Sequence, residues 1–286
     1  MGITIYSQTG CIRCKVVKDF MNNNGIAYDE HNLKAGGKKA FQKFYRENRP
    51  DIFRGPHGIV FPMLTDGETI YQGIGACIGF LQAGKKLKGF LTAGVLHQHR
   101  VDGIHISEGD PKYGDNLLGV LRYIKHELHM KTFMDTDGRN STILEKILRE
   151  KLGDNVVMKV LGSKKTYEQI LGPDIDMNDV KKTINLVSEF PENCFKTIVI
   201  PITDGDKNVR YLDVNEVAGA AHLLEEVTNS KTVPYHIEAF DLEDPANRRF
   251  NSLQHMDFMS LLPYRNVARR YQFLTTIKAG ATIKAG

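Results

Sequence analysis

Apolar positions in the first 84 residues switch between a strand period and a helix period several times. Gly2–Tyr6 is a short β-rich run. Residues 14–23 then carry Val16, Val17, Phe20 and Met21 at helical spacing, with Gly25 as a stop. Residues 26–33 predict a second strand and residues 38–46 a helix, with Phe41, Phe44 and Tyr45 along one face. Residues 59–64 and 69–71 flank Asp66-Gly67, a strong short hairpin signal. Residues 74–81 predict a third helix, and Ala83-Gly84-Lys85-Lys86 reads as a boundary.

From about residue 102 the pattern becomes an alternation. Strands are predicted at 103–106, 131–135, 156–161, 195–201 and 233–239. Helices are predicted at 115–128, 140–151, 178–189, 213–227 and 263–271. Strands alternating with helices of this length argue for a parallel sheet with helical crossovers. The fold class expected is therefore α/β: a small N-terminal unit (1–84), a linker (85–101), a partial (β/α) barrel or open sheet (102–275) and a tail (276–286). The tail repeats itself as TIKAG-A-TIKAG.

Composition narrows this reading. The chain has 286 residues, 41% hydrophobic and 25% charged, as in ordinary globular proteins. No apolar run approaches 18 residues, so no membrane partner is expected. The opening MGITIYSQ has no secretion pattern, which with the cysteine usage predicts a cytoplasmic protein. A net charge of +4, spread along the chain, does not form the basic face with interleaved aromatics that a nucleic acid would need.

Four cysteines are too few for a disulfide scaffold, but two stand as Cys11-Ile-Arg-Cys14. Cys11 follows Thr9-Gly10 and opens an apolar helix. Its sulfur is thus expected at a helix N-terminus, where unpaired N–H groups favour a thiolate. Arg13 and Lys15 add positive charge. Cys14 lies one turn on, in reach of a mixed disulfide on Cys11. Cys11 is the predicted attacking thiol and Cys14 the resolving one. No zinc-type spacing completes a metal site. Phe61-Pro62 enters a strand where a proline is unusual.

YSQTGCIRCK, VFPMLTDG and YQGIGA, in this order and spacing, resemble glutaredoxins and related thioredoxin-like electron donors over residues 3–82. The resemblance implies a thioredoxin fold, a cis Pro62 and thiol–disulfide exchange, with Thr9, Gly10, Arg13, Phe61, Pro62 and Gly73 at the substrate-docking surface. The Gly-Gly-acid segment of glutathione-using members is absent, since Gln72-Gly73-Ile74-Gly75-Ala76-Cys77 stands there.

Residues 102–240 are similar to activases of glycyl-radical enzymes in the radical S-adenosylmethionine superfamily. The similarity rests on Gly103–Pro111, Lys131–Gly138, Val157–Leu161, Tyr167–Asp174 and Phe195–Pro201. Ser107, Glu108, Asp110, Asp135 and Asp137 would lie at strand C-termini, the rim where α/β proteins bind ligands. The activases' CxxxCxxC cluster run is missing: residues 85–156 hold no cysteine, and Leu96-His-Gln-His-Arg100 occupies that region. No iron–sulfur cluster, S-adenosylmethionine or metal is therefore expected. His97 and His99, and the arginines 248, 249, 265, 269 and 270, read as polar loop and solvated helix face.

The expected function is a thiol–disulfide oxidoreductase dedicated to a protein partner. The resemblance names a glycyl-radical enzyme, such as an anaerobic ribonucleotide reductase, as that partner. Two alternatives are a redox-sensing adaptor for such a system and a divergent activase with unusual cluster ligands.

Overall fold

The computed structural model describes residues 2–55, 57–95, 99–203, 209–243, 245–250 and 252–279. The chain divides into two compact units. One takes residues up to Asp135 together with Glu145–Asn155. The other takes Thr136–Leu144 and the chain from Val156 on.

The first unit opens with β1 (Ile3–Ser7), α1 (Ile12–Asn23), β2 (Tyr28–Asn32) and α2 (Lys38–Glu47). Next come the short strands β3 (Arg54–Gly55) and β4 (Gly58–Ile59), then β5 (Met63–Thr65), β6 (Ile70–Gln72) and α3 (Gly73–Ala83). β2-β1-β5-β6 is the strand order of a four-stranded sheet, with β1 parallel to β2 and antiparallel to β5. The β5–β6 hairpin closes as its sequence predicts: the Asp66 carboxylate accepts the N–H groups of Glu68 (3.0 Å) and Thr69 (2.8 Å), and Gly67 takes φ +93°. The strand expected at 59–64 is broken in two, because Pro62 brings no N–H to a ladder. Phe61–Pro62 is a cis peptide bond, as the sequence suggested.

Residues 85–91, the first part of the expected linker 85–101, are packed instead. Gly84–Leu87 forms a 3-10 turn, Leu87 and Phe90 are buried, and Leu91 bridges Ile104. Apolar side chains at 87 and 90 hold this stretch down, which a lysine-rich reading of 85–88 overlooked. His97 lies outside the described residues. The unit continues with β7 (Arg100–His105), α4 (Gly114–Arg122) and β8 (Lys131–Thr136). β7 and β8 pair in parallel with a register shift between Val101 and Ile104. The helix predicted over 115–128 is α4 followed by a π turn, Tyr123–Glu127. Leu117, Leu118, Leu121 and Ile124 form its buried face, each worth roughly 1.5–3 kcal/mol of burial.

After α5 (Ser141–Arg149) the second unit holds β9 (Asn155–Lys159), α6 (Lys164–Leu171), α7 (Met177–Ser188) and β10 (Glu192–Val199). β11 (Pro201–Thr203), β12 (Val209–Tyr211), α8 (Val214–Thr228), β13 (Tyr235–Ala239), α9 (Phe258–Ala268) and β14 (Thr276–Lys278) complete it. The Asp179 carboxylate caps the start of α5 by accepting the N–H groups of Asn140 (2.8 Å) and Ser141 (3.0 Å). α9 starts at Phe258 rather than at Pro263. Asp257 caps it, accepting the Ser260 N–H at 2.8 Å, so the stop-start rule for proline gives way to a local cap. The expected tail also differs: β14 pairs in parallel with β13 from His236↔Thr276 to Glu238↔Lys278. The second TIKAG copy lies outside the described residues.

β14-β13-β10-β9-β8-β7 is the order of a six-stranded parallel sheet whose strands alternate with helices. The protein is thus mixed α/β, as the strand–helix alternation predicted. No described helix is long and apolar enough to cross a membrane.

Candidate functional site

Cys11 is the N-cap of α1. Its backbone is extended (φ −79°, ψ 105°), so the chain turns into the helix at the sulfur. Gly10, at φ +82°, supplies the turn before it. The Cys11 Sγ accepts the N–H of Cys14 at 3.1 Å, which is how a thiolate would be held at a helix start. Cys11 and Cys14 form a disulfide with a Cα–Cα separation of 5.3 Å. The two cysteines differ in exposure. Cys14 is 1% exposed and belongs to a core cluster with Tyr6, Phe41, Phe61 and Met63, while Cys11 is half-buried at its edge. Ile12, next to Cys11, is 69% exposed, an apolar side chain standing in water beside the disulfide.

The predicted docking residues divide. Thr9 and Gly10 are exposed, and the Thr9 hydroxyl donates to Asn32 Oδ1 at 3.1 Å. Phe61 and Pro62 are buried, Phe61 with its ring 5.4 Å from that of Phe41. Gly73 donates its N–H to the Pro62 carbonyl at 3.0 Å and is covered. A Cβ on Gly73 would stand 3.2 Å from the Gly94 backbone nitrogen. Arg13 is half-buried in a small recess with Gly75, Gly94 and Asp102. Burial pulls its guanidinium below the usual range, and Asp102 partly restores it. Arg13 therefore faces an acid of its own unit. Cys77 is fully buried on α3, where burial pushes its thiol far up.

Two of the acids expected to form a second pocket, Asp110 and Asp137, have partners two residues away. Asp110 caps the Pro111–Tyr113 turn and pairs with Lys112 at 2.6 Å. Asp137 pairs with Arg139 at 2.6 Å. Ser107 is buried and Glu108 exposed. Asp135 accepts from His105 Nδ1 at 2.8 Å, and His105 Nε2 lies 2.8 Å from the Thr92 hydroxyl. The register shift in β7 and Gly103 (φ +73°) make room for Thr92: a Cβ at 103 would stand 3.1 Å from the Thr92 Oγ1. His105 escaped the sequence reading because its partners are 13 and 30 residues away. Among the described residues no group of three or more His, Cys, Asp or Glu could hold a metal ion.

A cleft of about 670 Å³ lies in the first unit, lined by Phe53, Tyr71, Phe80, Leu87, Leu91 and Lys88 among others. Neither Cys11 nor Cys14 lines it.

No family model matches the chain. No curated protein matches it either. Among solved structures it is similar to the crystal structure of a domain of pyruvate-formate lyase-activating enzyme from Bacteroides vulgatus ATCC 8482. That likeness is 14% identical, covers 62% of this chain and 98% of the other, and has a TM-score of 0.41. A likeness of that size carries no argument about activity.

Proposed function

We propose that the Cys11–Cys14 pair is the centre of a thiol–disulfide oxidoreductase acting on a protein disulfide. The observation that carries this reading is the unequal exposure of the two cysteines: Cys11 half-buried at a helix N-cap, Cys14 1% exposed behind it. In the reduced protein the Cys11 thiolate attacks one sulfur of a partner's disulfide and expels the other as a thiolate. Cys14, deprotonated in turn, attacks the Cys11 Sγ. The second partner thiol leaves, and the Cys11–Cys14 disulfide retains the oxidation. A dithiol reductant regenerates the pair. The order β2-β1-β5-β6, with α1 following β1, supports a glutaredoxin-type thioredoxin fold for this part. Exposed Ile12 offers an apolar contact to a partner beside the reacting sulfur.

The proposed partner is a glycyl-radical enzyme, held by residues 102–275. Its support is the sequence resemblance of that segment. Insulin disulfide reduction with dithiothreitol as the electron source tests the catalytic part. Wild type should accelerate insulin precipitation and Cys11→Ser should not. Equal rates for the two proteins would sink the oxidoreductase reading and leave the redox-sensing adaptor.

A further inference from the structure

β10 and β13 run parallel, in register from Phe195↔Tyr235 to Val199↔Ala239. Side chains alternate along each strand. Phe195, Thr197, Val199, Tyr235, Ile237 and Ala239 are all buried. The opposite positions carry Cys194, Lys196, His236 and Glu238, all half-buried, and β14 sets Lys278 opposite Glu238. A half-buried strand face holding a thiol, an imidazole, a carboxylate and two ammonium groups is chemically loaded.

The distances connect them into a chain. The Cys194 Sγ lies 3.0 Å from His236 Nδ1, and His236 Nε2 lies 3.0 Å from Glu238 Oε1. Lys196 Nζ donates to Glu238 Oε2 at 2.8 Å, and Lys278 Nζ stands 3.5 Å from Oε1. Burial would push the Glu238 carboxyl up, but the hydrogen bonds from His236 and Lys196 hold it at about 2. The carboxylate can only accept, so His236 carries a proton on Nε2; in the neutral tautomer that leaves the Nδ1 lone pair facing the thiol. The thiol has a second acceptor, the Phe195 carbonyl at 3.4 Å. A nucleophile beside a base that a third group orients is the general arrangement for covalent catalysis. Strands hold such geometry more tightly than loops do.

We propose that Cys194, His236 and Glu238 form a nucleophilic thiol site for acyl esters or thioesters that carry a negative charge. The thiol proton passes to His236 Nδ1 as the Cys194 Sγ bonds to the acyl carbon. The tetrahedral adduct then collapses, the leaving alcohol or thiol takes the proton from His236, and an acyl thioester remains on Cys194. Water, deprotonated by His236, releases the acid. Lys196 and Lys278 set two cations against one carboxylate, and the excess favours an anionic substrate.

The full chain tests this without reductant, so that Cys11 and Cys14 stay in their disulfide and buried Cys77 stays silent. The probes are 4-nitrophenyl acetate and the anionic mono-4-nitrophenyl glutarate. Expected are a nitrophenolate burst and acylation mapped to Cys194. Cys194→Ala should abolish both, and His236→Asn should slow acylation about 100-fold. The glutarate ester should react faster than the acetate at low salt, a preference that Lys278→Met reduces. The chain unfolded in guanidinium chloride supplies a reference that needs no variant: folded Cys194 should acylate at least about tenfold faster than unfolded Cys194. A folded Cys194 no faster than that reference, or a folded His236→Asn protein reacting like wild type, overturns the proposal.

Discussion

The backbone N–H of Cys14 donates to the Sγ of Cys11 across 3.1 Å, so the residue that caps α1 is also the accessible half of the disulfide. In the proposed exchange Cys14, one turn inside the helix and 1% exposed, is the resolving thiol and does not meet the partner first. Replacing Cys14 by Ser should therefore leave Cys11 linked to partner proteins as mixed disulfides, recovered from cell extract and released by dithiothreitol. Cys11→Ser should trap none. Equal trapping by the two variants would overturn the assigned roles, and trapping by Cys11→Ser alone would reverse them.

Gly109 lies against the ring of buried Phe90, and a Cβ there would overlap that ring. Overpacking of this kind typically costs about 1–3 kcal/mol. Gly109→Ala should lower the thermal midpoint, while Gly119→Ala, where a Cβ meets nothing within 4 Å, should not. Differential scanning calorimetry on the two variants decides it.

Asp213 opens α8 with a capping box. Its carboxylate accepts the N–H groups of Asn215 (2.8 Å) and Glu216 (2.9 Å), and Glu216 reaches back to the Asp213 N–H at 2.6 Å. Asp213→Ala should destabilise the protein by about 1 kcal/mol, read as a shift in the urea midpoint. An unchanged midpoint would mean that Arg210, paired with Glu216 at 2.8 Å, holds the helix start by itself.

Glu238 gives a pH dependence with a definite sign. Its folded value of about 2 lies below the ordinary 4.5. Its contribution is present in full above 4.5 and declines as the pH falls from there toward 2. The stability gap between wild type and Glu238→Gln in urea titrations should be widest near neutral pH and narrow below about pH 4.5. A gap that stays constant down to pH 3 would show that His236 and Lys196 do not favour the ionised carboxylate.

The readable parts of this chain were those whose cause is local. The Cys11–Cys14 spacing, the Asp66-Gly67 turn and the apolar period of α1, α2 and α4 each depend on residues within about one or two turns, and each element exists where expected. α9 was misjudged because Asp257 caps it several residues before Pro263. The start of the linker expected at 85–101 was misjudged because Lys85, Lys86 and Lys88 masked the anchors Leu87 and Phe90.

By itself the sequence determined the α/β class and the placing of Cys11 and Cys14 one turn apart at the start of α1. Tertiary structure alone decided what each acid and histidine touches. His105 finds Asp135 thirty residues on, and Cys194 finds His236 forty-two residues on, because parallel strands bring distant positions level through their register. Nothing in the local pattern encodes that register. It is set by which apolar faces bury together, and the polar neighbours follow from it.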